Sequence, residues 1–360
     1  MRVVAVVLLA CLLAGCASEP LVMRFDPGQV TAGKKIYFPP LSDEEVPRYV
    51  YVGELTGEQN FVEREGKQKN VFIEALKWIA GLFEGQEAVV LQRPQSGVVD
   101  ENGRILVTDV SRSAVFVFDQ ANGRLDVWEF AKGFRRFASP TGIALGPAGR
   151  VFVADADLRQ VYALDPQGNG TLVIDSAMLE RPNGLAWDAK EGLLYVADTQ
   201  AHQIKVFDMT GRLVRTIGQR GEGPGEFNFP TFLSLSGDRL VVSDTMNARV
   251  QVIPLNGGGK PMIVGERGTM MGNLVRPKGV AVDSENNLYV IESYYDHLLI
   301  FDERARFLLP IGGAGKAAGS FYLPGGVWID RGNRVFVADT FNGRIAVFQF
   351  LGGVGDHGGE

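Results

Sequence analysis

Apolar residues in this chain come in short bursts of about four to six, too short for globular helices, with Gly, Pro, Asn and Asp clustered between them. One stretch shows the pattern well: Pro277-Lys-Gly-Val-Ala-Val-Asp283, then Leu288-Tyr-Val-Ile-Glu292, then Leu298-Leu-Ile-Phe-Asp302. The first run predicts a strand that opens at its proline, which has no N–H to give a ladder. The second is nearly continuous and predicts a strand flanked on both sides. The order of proline, turn, strand and terminal acid recurs six times. The prolines are Pro94, Pro140, Pro182, Pro230, Pro277 and Pro324, spaced 46, 42, 48, 47 and 47 residues apart. The acids Asp109, Asp155, Asp198, Asp244, Glu292 and Asp339 follow them by 15, 15, 16, 14, 15 and 15 residues. Strand-like pieces at this period predict an all-β fold, a six-bladed β-propeller.

The ends of the repeat predict how the ring closes. The sixth copy stops soon after Val347-Phe-Gln-Phe350, without the last strand its sisters have. Arg48-Tyr-Val-Tyr-Val-Gly-Glu-Leu55 alternates as a strand and runs on like the segments after Ile217 and Ile311. This N-terminal strand is expected to close the last blade, which removes exposed sheet edges. The expected organisation is a leader over 1–15, a tether over 16–47, the propeller over 48–350 and a Gly-rich tail over 351–360. The tether would reach at most roughly 100 Å fully extended. One short helix is expected as an insertion at about 69–84, where Phe72, Leu76, Ile79 and Phe83 share a face. Its expected role is to cap one end of the ring, with membrane contact or partner docking as alternatives.

Composition narrows the function classes. The formal net charge is −6 and no long basic run occurs, which argues against nucleic acid as a partner. Arg2 precedes an apolar run, Val3 to Leu13, too short to span a bilayer and shaped like a secretory leader. The run ends in Leu13-Ala14-Gly15-Cys16, which resembles the bacterial lipoprotein box. That resemblance implies cleavage before Cys16, lipid attachment to its thiol, and a cell-envelope location. Ala17 rather than aspartate in the next position implies sorting to the outer membrane. The other cysteine, Cys11, lies inside the leader. The mature chain would hold no disulfide, no thiolate metal site and no Cys-x-x-Cys-His haem attachment.

The acidic ladder invites a catalytic reading, but each acid ends its own strand and can accept N–H bonds from the loop beside it. Glu292, longer than its five aspartate sisters, is the one expected to face a ligand. Val242-Ser-Asp-Thr-Met-Asn-Ala-Arg-Val-Gln-Val252 and Val337-Ala-Asp-Thr-Phe-Asn-Gly-Arg-Ile-Ala-Val-Phe348 resemble NHL repeats, as does the segment from Pro277 to Asp283. The resemblance covers six copies from about 90 to 350 and implies an NHL-type propeller. Asn247 with Arg249, and Asn342 with Arg344, are expected to brace neighbouring loops.

Residues just after the six prolines and the loops after the six acids should meet at one end of the ring. That mouth is the expected binding site for a protein partner, or for a small molecule. Its candidate residues are Asn183, His202, Phe232 (in a position that is glycine in other blades), Lys278, Glu292, Tyr294, Tyr295, His297 and Phe341. Pro182-Asn-Gly-Leu-Ala-Trp187 is similar to metal-dependent lactonase propellers of the gluconolactonase type, in which Asn183 would be a metal ligand. The matching positions here are Gln95, Thr231, Lys278 and Gly325, none of them acidic, so a hard cation would lack charged oxygens. Peptide-amidating lyases of the same fold use several histidines for zinc, whereas this chain has only His202, His297 and His357. No metal, cofactor or catalytic residue is expected. The reading is a lipid-anchored envelope binding or scaffold protein, within an envelope redox (cytochrome) complex; the alternative is a metal-dependent hydrolase, lactonase or lyase.

Overall fold

The structure, a computed structural model, describes residues 21–25, 35–42, 45–63 and 88–352. Cys16, the expected helix at 69–84 and the Gly-rich tail after residue 352 lie outside the described residues. Six antiparallel sheets form the blades. Blades 1 to 5 each run as a four-stranded meander, beginning at Pro94, Pro140, Pro182, Pro230 and Pro277. Blade 6 has five strands, in the order Tyr37–Phe38, Tyr49–Leu55, Arg344–Phe350, Arg334–Asp339 and Val327–Ile329. The N-terminal strand therefore closes the last blade, and a shorter strand covers its outer edge. Part of the segment expected as a tether is thus built into the fold. Val22–Met23 likewise pairs with Phe61–Val62, and Met23 is buried against blades 6 and 1.

The core is split into six apolar clusters, one at each interface between adjacent blades. Inner strands must approach closely for these to form, and glycine supplies the room. At Gly142 a Cβ would run into the Asn183 carbonyl of the next blade, and at Gly279 it would strike the backbone at Gly326 and Val327. Blades 1 to 5 each shift register just after their first proline, the local kink a β-bulge produces. Phe232 occupies the corresponding place in blade 4 and is buried between blades 4 and 5, where it also lines the central channel. The channel holds about 320 Å³ and is walled mainly by apolar residues of all six inner strands.

Hydroxyls stitch blade to blade. Thr199 donates to the Pro230 carbonyl at 2.7 Å and Thr245 to that of Pro277 at 2.8 Å. Thr340 donates to the Pro94 carbonyl at 2.8 Å, joining blade 6 to blade 1. The N-terminal strand is fastened twice more. The Tyr49 and Tyr289 hydroxyls meet at 2.8 Å, and Tyr289 donates to Asp283 at 2.8 Å. At the other end of that strand Arg344 pairs with Glu54 at 2.6 Å.

Candidate functional site

Every strand-end acid is committed to the backbone beside it. Asp109 accepts from the N–H groups of Gln92, Arg93, Ser111 and Arg112. Asp155 and Asp198 accept from the residues just before their blades' prolines. Glu292 does the same. It is 1% exposed, and its oxygens accept from Val275, Arg276 and Tyr294 at 2.7–3.0 Å. The extra methylene reaches the same N–H groups that aspartate serves elsewhere, so Glu292, expected to face a ligand at the mouth, is held by the backbone and reaches the surface only as part of the wall of a small cleft.

Three of the crossings between blades share one design. The segments 218–229, 265–276 and 312–323 have glycines in register, and each folds back on itself through a parallel bridge. Before blade 4, Asn247 donates to Gly221, and Arg249 donates to the Gly223 and Glu226 carbonyls while pairing with Asp244 at 2.8 Å. Before blade 6, Asn342 donates to Gly315, and Arg344 to Ala317 and Ser320 while pairing with Asp339 at 2.8 Å. The predicted Asn and Arg braces are thus loop-to-crossing clamps. Blade 5 replaces the pair with Tyr295 and His297, and His297 stands opposite Glu292 in the register held by the two arginines. There the structure leaves a cleft of about 100 Å³, lined by Met270, Met271, Asn273, Glu292, Tyr295 and His297 among others.

A meander that starts at the mouth returns there after its second strand and again after its fourth. All crossings and all second-to-third-strand loops therefore lie at the end where Gln95, Thr141, Asn183, Thr231, Lys278 and Gly325 surround the axis. Asn183 and Lys278 are half-buried in that ring. The Lys278 ammonium makes no hydrogen bond or ion pair among the described residues, although the residue's carbonyl accepts from the Ser243 hydroxyl. Burial holds its ammonium below the usual lysine range, and the nearby guanidinium groups of Arg276 and Arg93 push in the same direction. Arg93 lies over the Phe341 ring at 4.7 Å, a cation–π contact in place of a carboxylate partner. Of the three arginines that precede a blade's proline, Arg181 finds an acid, Asp157, at 3.2 Å. The axis is therefore locally basic on an acidic chain.

Tyr294 is 54% exposed and packs edge-on against Tyr295 at 4.9 Å. Phe341 is 47% exposed and meets exposed Tyr322 at 5.7 Å. His202, on the corresponding loop of blade 3, is buried: it accepts the Phe229 N–H through Nδ1 at 3.2 Å and meets that ring edge-on. The structure thus gathers Asn183 and Lys278 at the axis, and Tyr294, Tyr295 and His297 on the blade 5 flank. Phe341 sits beside Arg93, His202 and Phe232 pack into the fold, and Glu292 is held by the backbone at the wall of the blade 5 cleft. Sequence reasoning missed Arg93, Arg276, Tyr322, Met270 and Met271. An Arg-Pro dipeptide repeated at 93, 181 and 276 was the one available signal for two of them. Among the described residues no three of His, Cys, Asp and Glu come together as a metal site would require.

Comparison with known proteins fits this architecture. A family model described as a 6-bladed beta-propeller matches residues 174–258, essentially blades 3 and 4. The chain is 31% identical over 153 residues to NHL repeat-containing protein 2 of Bos taurus, covering 33% of this chain and 21% of that protein. It is 27% identical over 146 residues to protein brain tumor of Drosophila melanogaster, covering 40% of this chain and 13% of that protein. The matches thus span about a fifth or less of these curated relatives. Among solved structures, a gluconolactonase from Xanthomonas campestris superposes with a TM-score of 0.56 at 15% identity, over 74% of this chain and 90% of that one. That likeness is one of fold.

Proposed function

We propose that this chain is a binding module that captures a protein partner on the mouth end of its propeller, over the sector of blades 4 to 6. One observation carries the reading. The residue two places after the strand-end acid is exposed in all six blades; it is Ser111, Asp157 and Gln200 in blades 1 to 3, but Met246, Tyr294 and Phe341 in blades 4 to 6. Half of one ring of equivalent positions is polar and the other half apolar or aromatic. Exposed Tyr322, Met270 and Met271 lie in the crossings of the same half. Contiguous exposed apolar groups with tyrosine among them mark partner surfaces. The resemblance of the repeats to those of NHL-repeat proteins supports the same class of role.

A lactonase or lyase would need carboxylates or histidines converging on the axis. The six acids turn to the backbone instead, and Lys278 occupies the axis with no acid beside it. The leader sequence supports the further proposal that Cys16 carries a lipid and holds the module at the outer membrane of a cell envelope. A place beside an envelope redox complex with cytochromes is proposed on that location alone.

The test is capture by the full chain carrying a photo-crosslinking residue at 341, set against one at 209, which lies at the opposite end. Crosslinks to one protein from 341, lost in Tyr294→Ala/Phe341→Ala, support the reading. Equal crosslinking from both ends, or one equivalent of divalent metal that Asn183→Ala removes, would sink it.

A further inference from the structure

The cleft on the blade 5 flank is a clamp without its cation. In blades 4 and 6 an arginine of the chain itself fills the equivalent place, its guanidinium held by a strand-end carboxylate and two crossing carbonyls. Alignment of the three crossings puts Gly268, Met270 and Asn273 where Gly221, Gly223 and Glu226 stand before blade 4. Among the described residues the Gly268 and Asn273 carbonyls receive no hydrogen bond, and that of Met270 receives only the Asn273 N–H at 2.9 Å. The imidazole of His297, in the arginine's register, makes no hydrogen bond to the Glu292 carboxylate or to these carbonyls. The one arginine of this crossing before its end, Arg267, is turned away and donates to the Met246 carbonyl at 2.8 Å. What remains is a cleft of about 100 Å³ with acceptors and a buried carboxylate on its walls.

We propose that this cleft receives an arginine side chain of the protein partner, inserted where blades 4 and 6 use their own. The inference rests on the partner-binding reading above and names what the partner presents. Backbone carbonyls beside a carboxylate suit a guanidinium, whose planar fork of donors satisfies several acceptors at once. Met270 is 77% exposed and, with Met271, offers a flexible apolar sleeve for the arginine stem. A metal ion is a poorer fit, because a hard divalent cation takes six or more oxygen ligands and the cleft's lining offers one carboxylate. Arg276 and Lys278 are not among the cleft's lining residues, so the basic axis and this acceptor site are separate features of the mouth.

The experiment uses the full chain with ¹³C-methyl methionine and reads the Met270 and Met271 methyl signals by NMR, assigned through single Met→Leu variants. The probes are Nα-acetyl-arginine amide, its citrulline counterpart, and calcium chloride, each alone. The arginine amide should shift both signals saturably, with at least tenfold weaker binding for citrulline, which lacks the charge. His297→Arg should abolish the shift by filling the cleft from within, and should raise the unfolding midpoint. Met271→Trp, at an exposed position, should block the entrance without touching the core. Equal binding of citrulline, arginine binding retained in both variants, or tighter saturable binding of calcium would each overturn the proposal. The amide probe needs no partner. Failure here with capture through Tyr294 and Phe341 intact would therefore leave the partner-binding reading standing, and the reverse result would remove that reading alone.

Discussion

Arg344→Met tests whether the ring is held shut by buried charge. Arg344 is 6% exposed; its Nε lies 2.8 Å from Asp339, its Nη1 lies 2.6 Å from Glu54, and its Nη2 reaches two crossing carbonyls at 3.0–3.1 Å. Methionine fills the volume but leaves two buried carboxylates with no cation. Removing one partner of a buried pair costs about 3–5 kcal/mol, because the remaining charge stays desolvated. Glu54→Gln keeps the Arg344–Asp339 contact and should cost less, about 1.5–3 kcal/mol for one charged hydrogen bond. Since Glu54 lies on the N-terminal strand, the arginine variant should also expose the amides of 49–55 to hydrogen exchange well before the rest of blade 6.

The pH dependence fixes the cause. Burial raises the Asp339 carboxyl above its ordinary value, although the Tyr322 N–H, Asn342 and Arg344 all favour its charged form. Without Arg344 it should rise further. Between the unfolded carboxylate value, about 3.9, and that raised value, the native state holds a proton the unfolded chain has lost. Stability then falls as pH rises through the window and returns on acidification. The deficit of Arg344→Met relative to the parent should therefore be largest near neutral pH and shrink toward the carboxylate range. Urea unfolding at both pH values measures it. A loss under about 1 kcal/mol, the size of a surface pair, or a deficit independent of pH would refute the reasoning.

Three further outcomes follow from the same geometry. Lys278→Met should be more stable than the parent at neutral pH. In the folded parent the ammonium loses its proton below the unfolded lysine value, so the parent should regain stability as pH rises through that alkaline window, and the two urea midpoints should converge; parallel curves would count against a half-buried lysine whose ammonium has no partner. Gly142→Ala should destabilise by about 1–3 kcal/mol, an overpacking cost, because its Cβ meets the Asn183 carbonyl of the next blade; an unchanged melting temperature would show that blades 2 and 3 can separate locally. Tyr294→Ala/Phe341→Ala should change unfolding free energy by no more than about 0.5 kcal/mol per site, as exposed positions do, while removing partner capture; a large thermal shift would reassign both residues to the core.

The architecture was readable because each blade repeats a demand of the backbone. Pro277 starts a strand, Glu292 ends one, and the missing last strand after Phe350 points to the N-terminal strand that pairs with Arg344–Phe350. The site was less readable where a side chain's fate depends on residues remote in sequence. Glu292 looked free because it is longer than aspartate, yet its reach ends on the N–H groups of Val275 and Arg276. His202 lies at the mouth end but is buried there, at a left-handed turn position with its ring against Phe229. Arg93 and Lys278 come together only once the ring has closed, and no local pattern announces that. Met23 and Phe38 belong to strands of two residues, too short to show any period.

The six blades serve as controls for one another, and that comparison separates scaffold from site. Where all six agree, as with the prolines and strand-end acids, the residue meets a requirement that every blade shares, and its charge is spent on the backbone. Where the blades differ without a structural reason, the difference is what the proposed partner would account for. Serine, aspartate and glutamine at 111, 157 and 200 show that this exposed loop position accommodates polar residues, whereas Met246, Tyr294 and Phe341 leave apolar surface in water at the same position. In the same sector the clamp built from Arg249 and Arg344 is absent between them, at His297. An exposed apolar arc and an unfilled acceptor cleft fall side by side over blades 4 to 6, and one docked protein would satisfy both.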